Sequence, residues 1–165
     1  MPSIDAIVIG AGFGGLYNLV KLKELGLSVR AFDKAPEIGG TWYWSQYPGA
    51  TSDSASEIYR FRFNKNILQT DEWPGHYVSQ QGSLKYLKNI AKLYDLEKDI
   101  QLSTKVVSAA FDSASSTWTT TFDNGEVWKS TYLIMAVGCF HTPNYPKITG
   151  LEKFKGPVYH TALVL

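Results

Sequence analysis

A short apolar run, Ile4-Asp5-Ala6-Ile7-Val8-Ile9, ends in Gly10-Ala11-Gly12-Phe13-Gly14-Gly15. A helix-period pattern follows, with Leu16, Leu19, Val20 and Leu22 to Leu25. Strand, tight glycine turn, helix is the order in which G-x-G-x-x-G signals a dinucleotide site. Gly10 turns the chain off the strand, Gly12 lets backbone approach a pyrophosphate, and Gly15 allows close helix–strand packing. The helix N-terminus then offers free N–H groups and a partial positive charge to phosphate.

The next segment strengthens that reading. Leu27-Ser28-Val29-Arg30-Ala31-Phe32 has the character of a second strand and ends at Asp33. An acid about 20 residues beyond the glycines, at the tip of the second strand, receives a ribose hydroxyl. A carboxylate there accepts from the 2′-OH and repels a 2′-phosphate, so this site does not favour NADP.

At 165 residues, 44% of them hydrophobic, the chain is about one domain long and can bury a core. A net charge of +1 gives no reason to expect nucleic acid or an anionic membrane as partner. Cys139 is the single cysteine, which excludes a disulfide framework and a cysteine-based zinc site, so no metal is expected. No signal peptide or membrane-length apolar run is seen, and a reducing, cytoplasmic setting is the expectation.

After Asp33, the stretch from Pro36 to Asp53 holds Gly39-Gly40, Trp42-Tyr43-Trp44 and Tyr47-Pro48-Gly49-Ala50. Glycine pairs and Pro-Gly mark tight turns, so the stretch reads as a structured loop and not a helix. Loops this long are more often functional than not. Gly39-Gly40 would allow close backbone approach to the far end of a long ligand, and the aromatic residues offer walls for a planar one.

These residues carry a resemblance. Gly39-Gly40-Thr41-Trp42-Tyr43-Trp44, Tyr47-Pro48-Gly49-Ala50 and Asp53 are similar to the FAD-binding domain of Baeyer–Villiger monooxygenases, over nearly the whole chain from Asp5 to about Ala162. The resemblance implies an α/β fold: a three-layer Rossmann-type FAD-binding domain with a parallel sheet and an antiparallel β-meander. It implies FAD contacts from Gly10, Gly12, Phe13, Gly14, Gly15, Asp33, Lys34, Gly40, Thr41, Trp42, Tyr47, Asp53, Tyr59, Val106, Ala136 and Gly138. Family members reduce FAD with NADPH and use O₂ to convert a ketone to an ester or lactone. In them an arginine from the nicotinamide-domain side supplies a cation, and Asp53 matches the acid that orients it, which makes Asp53 the candidate catalytic residue. From the residues alone, Asp53 is a loop-capping acid in Thr51-Ser52-Asp53-Ser54. Ala55 stands where relatives carry a glutamate, a departure that weakens the match around Asp53.

Residues 54–80 hold Tyr59, Phe61, Phe63, Trp73, Pro74 and Tyr77 among polar residues, and no period assigns them. Ser83 reads as the N-cap of a helix with Leu84, Leu87, Ile90, Ala91 and Tyr94 at helical spacing, ending near Asp95. From Ile100 the pattern becomes extended. Residues 101–110, the β-branched Thr117–Phe122 and a return strand starting at Val127-Trp128, joined by Asp123-Asn124-Gly125-Glu126, read as an antiparallel meander. Thr131 to Gly138 is a nearly continuous apolar run, as expected of a buried parallel strand rejoining the main sheet.

Phe154-Lys155-Gly156-Pro157-Val158-Tyr159-His160 matches the start of the family fingerprint F-x-G-x-x-x-H-x-x-x-W, with Val164 at the tryptophan position. By itself His160 is a surface or hinge histidine. The resemblance implies an FAD-binding domain over 1–150 and, over 151–165, a linker toward a nicotinamide domain that the chain does not contain. There is no second G-x-G-x-x-G and no basic cluster for a 2′-phosphate, and Arg60 and Arg62 lie on the wrong segment to supply the catalytic arginine. Three readings follow: a truncated monooxygenase FAD module without activity alone, a non-catalytic flavin-binding module, or a partial oxidoreductase reduced by a separate partner. Exposed apolar surface left by an absent domain leads us to expect self-association.

Overall fold

The computed structural model describes residues 1–63, 65, 67, 75–140 and 142–163. The sequence features at Trp73, Pro74 and Val164 lie outside these. Strand β1 (Ser3–Ile9) runs into the glycine turn and helix α1 (Phe13–Glu24), and β2 (Val29–Phe32) returns beside β1 in parallel. Leu16, Leu19 and Val20 carry the buried stripe of α1, whereas Leu25 lies past its end and is exposed.

The 36–53 stretch is not all loop. It contains a one-turn helix, α2 (Thr41–Trp44), and a strand, β3 (Thr51–Ala55), which pairs antiparallel with β4 (Tyr77–Ser79). Gly39-Gly40 permits the turn into α2: both have positive φ, +144° and +55°, and Trp42 N–H then bonds back to the Gly39 carbonyl. Helix α3 (Gln80–Leu93) starts earlier than its apolar period suggests. Ser79 is the cap, accepting from the Gly82 N–H, while Ser83 is buried inside the helix. Two serines four residues apart both precede the apolar pattern, and only tertiary packing separates them.

The pattern after residue 100 also divides differently. A short β5 (Ile100–Gln101) joins the parallel edge beside β2, and the meander proper is β6 (Val106–Asp112), β7 (Thr117–Phe122) and β8 (Val127–Met135). Ser103, at φ +51°, breaks the chain between β5 and β6. What reads as a return strand and a separate buried strand is one continuous strand, β8. It pairs antiparallel with β7 at its start and parallel with β1 along most of its length. The six-stranded order is β5-β2-β1-β8-β7-β6. β8 is also less buried than its apolar run suggests, because Tyr132 and Met135 are more than half exposed.

Three layers result. On one face Ala6, Val8, Val29 and Ala31 of the sheet pack against Leu16, Leu19 and Val20 of α1 and Tyr86, Leu87, Ile90 and Ala91 of α3. On the other face Ile7, Ile9 and Phe32 meet Phe122 of the meander, with the Phe32 and Phe122 ring centroids 4.1 Å apart and Trp128 edge-on at 5.4 Å. β1 is thus buried on both faces, which is why its sequence alternates so little. No helix among the described residues is long and apolar enough to cross a membrane.

Candidate functional site

The carboxyl ends of β1, β2 and β8 open into a cleft of about 570 Å³, a size suited to a cofactor or small-molecule site. This is the crevice where open α/β sheets bind ligands. Gly10, at φ +111°, leaves β1, and a side chain there would meet the Ala136 carbonyl oxygen at 2.5 Å. Gly12 precedes α1 without any side-chain cap, and the first turn of that helix carries no acidic residue. Its free N–H groups therefore face the cleft with their positive field uncancelled. Gly15 lies beneath, packed on the Gly10 carbonyl.

Gly40 approaches the glycine turn itself. A Cβ on Gly40 would sit 2.9 Å from the Gly12 Cα, and the Gly39 N–H donates to the Ala11 carbonyl at 3.0 Å. Gly40 thus accommodates protein backbone and Gly39 the Leu84 side chain, and the close approach with its hydrogen bond locks the two loops into one rim.

Asp33 is fixed by that rim. One carboxylate oxygen accepts from the Ala11 N–H at 2.6 Å and the other from the Ala35 N–H at 2.8 Å. A carboxylate has about four lone-pair sites, so each oxygen keeps capacity for a hydroxyl donor. Beside it the Lys34 ammonium lies 5.0 Å from the Trp44 ring centroid, a cation–π contact that makes a wall at this end of the cleft.

The other wall is aromatic. Trp42 is buried and its indole N–H donates to the Tyr59 hydroxyl at 3.0 Å; Phe13 meets Tyr59 edge-on at 4.9 Å. Gln80 holds this wall from behind: its side-chain amide donates to the Trp42 carbonyl, and its backbone N–H to the Ala50 carbonyl. Burial pushes the Tyr59 hydroxyl above its ordinary pKa, opposed by the Trp42 hydrogen bond and reinforced by the charge of Asp53.

Of the residues singled out in the sequence, Gly10, Gly12, Phe13, Gly14, Asp33, Lys34, Gly40, Thr41, Trp42, Tyr59, Val106, Ala136 and Gly138 all border the cleft. Gly15, Tyr47 and Asp53 do not. Gly15 acts from below through packing. Asp53 is exposed on β3, with Ser54 Oγ as a neighbour at 3.4 Å. Residues that the sequence reading did not assign also line the cleft: Thr104, Lys105 and Met135, with Phe140 and Leu163 from the tail. The Thr104 N–H bonds to the Asp33 carbonyl at 2.9 Å, so the β5–β6 turn is laid along the acid by backbone pairing that no side-chain pattern encodes. His160 accepts from the Ala162 N–H at 3.1 Å and its ring lies tilted against Tyr145, centroids 4.8 Å apart, a turn-stabilising role.

Residues 7–163 match the family model described as pyridine nucleotide-disulphide oxidoreductase. The chain is 48% identical over 158 residues to phenazine N-monooxygenase PhzNO1 of Lysobacter antibioticus, covering 95% of this chain and 29% of that protein. It is 44% identical over 159 residues to cyclohexanone 1,2-monooxygenase of Acinetobacter sp, covering 96% of this chain and 29% of that protein. An open crystal structure of cyclohexanone monooxygenase superposes with a TM-score of 0.91 at 43% identity, covering 100% of this chain and 32% of that one. The chain thus spans about three tenths of the length of the relatives it matches.

Proposed function

The chain belongs to the pyridine nucleotide-disulphide oxidoreductase family, and on that premise we propose that it is the FAD-holding portion of a flavin-dependent, NADPH- and O₂-using Baeyer–Villiger-type monooxygenase acting on ketones. One observation carries the reading: an uncapped helix start, a glycine turn with no room for side chains and an acid with spare acceptor capacity converge on a single cleft. These suit, in order, a pyrophosphate, its close approach and a ribose hydroxyl.

In this reading Gly10, Gly12 and the N–H groups of Phe13 and Gly14 hold the pyrophosphate. Asp33 receives the ribose, and Lys34 and Val106 flank the adenosine end. Gly40, Thr41, Trp42, Tyr59, Ala136 and Gly138 border the flavin end, while Tyr47 and Asp53 support it from the aromatic loop and β3. FAD, when bound, supplies the redox and oxygen-activating chemistry. The protein's part is to orient the ring system and exclude water, which buried Trp42 and its hydrogen-bonded partner Tyr59 do at one wall. Asp53 acts by orienting a cation brought by a nicotinamide-binding domain, and residues 151–165 are the linker toward it. Similarity to a phenazine N-monooxygenase supports a second reading, in which the oxygen is delivered to a ring nitrogen. The residues of this chain serve the cofactor equally in both.

The apolar side chains exposed on β8 and the tail, among them Tyr132, Met135, Phe140 and Phe154, support self-association of this chain. The exposed lone thiol of Cys139 suits a cytoplasmic setting. The test is the visible spectrum of purified chain after incubation with FAD and desalting. Retained flavin bands are expected, without ketone-dependent NADPH consumption by the chain alone. A folded chain that releases all flavin refutes the cofactor assignment. Ester formation by the chain alone refutes the need for a second domain.

A further inference from the structure

A second cavity, of about 290 Å³, opens at the amino ends of β1, β2 and β8, the opposite end of the sheet from the glycine turn. Ile4, Leu27 and the Trp128 indole give it an apolar lining; Lys23, Arg30 and Asp99 give it charge. The Arg30 guanidinium lies 5.5 Å from the Trp128 ring centroid. Its Nε is buried with no acceptor, and none of the ion pairs among the described residues includes it.

The surrounding acids are committed elsewhere. Asp99 pairs with Lys23. Asp5 Oδ2 accepts from both the backbone N–H and the hydroxyl of Ser28. Glu126 Oε1 accepts from Gln101 at 2.9 Å and Asn124 at 2.7 Å, and Oε2 from the Trp128 indole at 2.8 Å. These donors, Trp128 foremost, hold the Glu126 carboxyl below its ordinary pKa, and the charge of Arg30 adds to the effect without a hydrogen bond. The Glu126 bond also fixes the indole plane against which a ligand would lie. The Nε–H is buried without an acceptor while the half-buried Arg30 side chain lines the cavity, and Arg is the side chain best shaped to grip a carboxylate.

We propose that this cavity is an accessory site for a small organic monocarboxylate, its carboxylate held by Arg30 and its flat or aliphatic body set among Ile4, Leu27 and Trp128. A single negative charge suits the site better than two, because Lys23 and Arg30 already stand against Asp99 and Glu126 and a dianion would add twice the uncompensated charge of a monoanion. The site is separate from the dinucleotide cleft and independent of which reaction the flavin end supports.

The experiment is a two-dimensional amide and indole N–H NMR titration of the full chain with benzoate, benzamide and inorganic phosphate. Benzoate is expected to produce saturable shifts at the Trp128 indole, the Arg30 Nε–H and the amides of 27–30, with a Kd on the order of millimolar. Arg30→Met, and benzamide with the unaltered chain, should each weaken binding about tenfold or more, the worth of a charge-assisted hydrogen bond. Benzoate shifts that centre on the glycine turn, or that persist undiminished in Arg30→Met, overturn the proposal. Benzamide binding as well as benzoate would mean an apolar pocket only, and phosphate binding as well as benzoate would remove the role of the apolar lining; either outcome also overturns it. Because the benzamide and phosphate comparisons need no substitution, a misfolded variant leaves the test intact.

Discussion

Adjacent glycines in the fingerprint should respond in opposite ways to the same added methyl. A Cβ on Gly15 would lie 2.8 Å from the Gly10 carbonyl carbon and closer still to its oxygen, inside the 3.0 Å that real Cβ atoms respect. Gly10 cannot yield, because its N–H is bonded to the Phe32 carbonyl at 2.8 Å and its own outer side abuts the Ala136 carbonyl. Helix α1 must therefore lift off β1, opening the packing of Leu16 and Leu19 and carrying its first N–H groups away from the cleft. Overpacking of this kind costs about 2–3 kcal/mol. With a urea slope of about 2 kcal/mol per M, Gly15→Ala lowers the unfolding midpoint by about 1–1.5 M. FAD affinity, read by quenching of flavin fluorescence, should fall about tenfold or more as the helix start shifts. Gly14→Ala is the control. Its Cβ would sit 3.5 Å from the Ala136 Cβ, an ordinary contact, and alanine favours a helix by up to about 1 kcal/mol. The midpoint should hold or rise. Equal midpoints for parent and Gly15→Ala, or equal losses in both variants, would refute the packing account.

Asp33→Asn keeps one acceptor but turns an NH₂ toward a backbone N–H, Ala11 or Ala35. A loss of about 1–3 kcal/mol in urea unfolding and a marked weakening of FAD binding are expected. Tyr59→Phe leaves the buried Trp42 indole N–H without its acceptor and should cost a similar amount in the same assay. The same variant carries a pH signature. Burial raises Tyr59 above its ordinary value of about 10, so above that pH the unfolded chain loses its proton first and folding stability falls as pH climbs toward the folded value. The difference in stability between parent and Tyr59→Phe should therefore hold below about pH 10 and shrink as pH rises above it; a constant difference would deny the burial effect.

The parts legible in the sequence are those where one physical requirement leaves one residue type. Gly10 at φ +111° and Gly15 under the Gly10 carbonyl are such places, and so is Asp33 at the strand tip. The meander turn at Asp123–Glu126 was equally plain, since Gly125 takes φ +84°. Boundaries were less legible where two neighbours offer the same chemistry: Ser79 and Ser83 both qualify as a cap, and only packing of α3 chooses. The single strand β8 read as two because its residues change partners midway, from β7 to β1, with no sequence mark at the exchange. Thr104 and Lys105 were invisible as cleft residues because backbone pairing with Asp33, not their own side chains, brings them there.

The position of β8 also sets the order in which the molecule can come into being. It comes last in the chain among the described strands, yet it occupies the middle of the sheet, between β1 and β7. Until about residue 135 has been made, β1 has an open edge and the meander has no closing strand. The nascent chain can build the glycine turn and α1 early, but the sheet closes only by a contact spanning more than a hundred residues, the kind of long-range closure that slows folding. Gly10 and Ala136, at the two ends of that span, both border the cleft, so a ligand held there would act as a clasp across the closure, and flavin supplied during synthesis should raise the yield of folded protein.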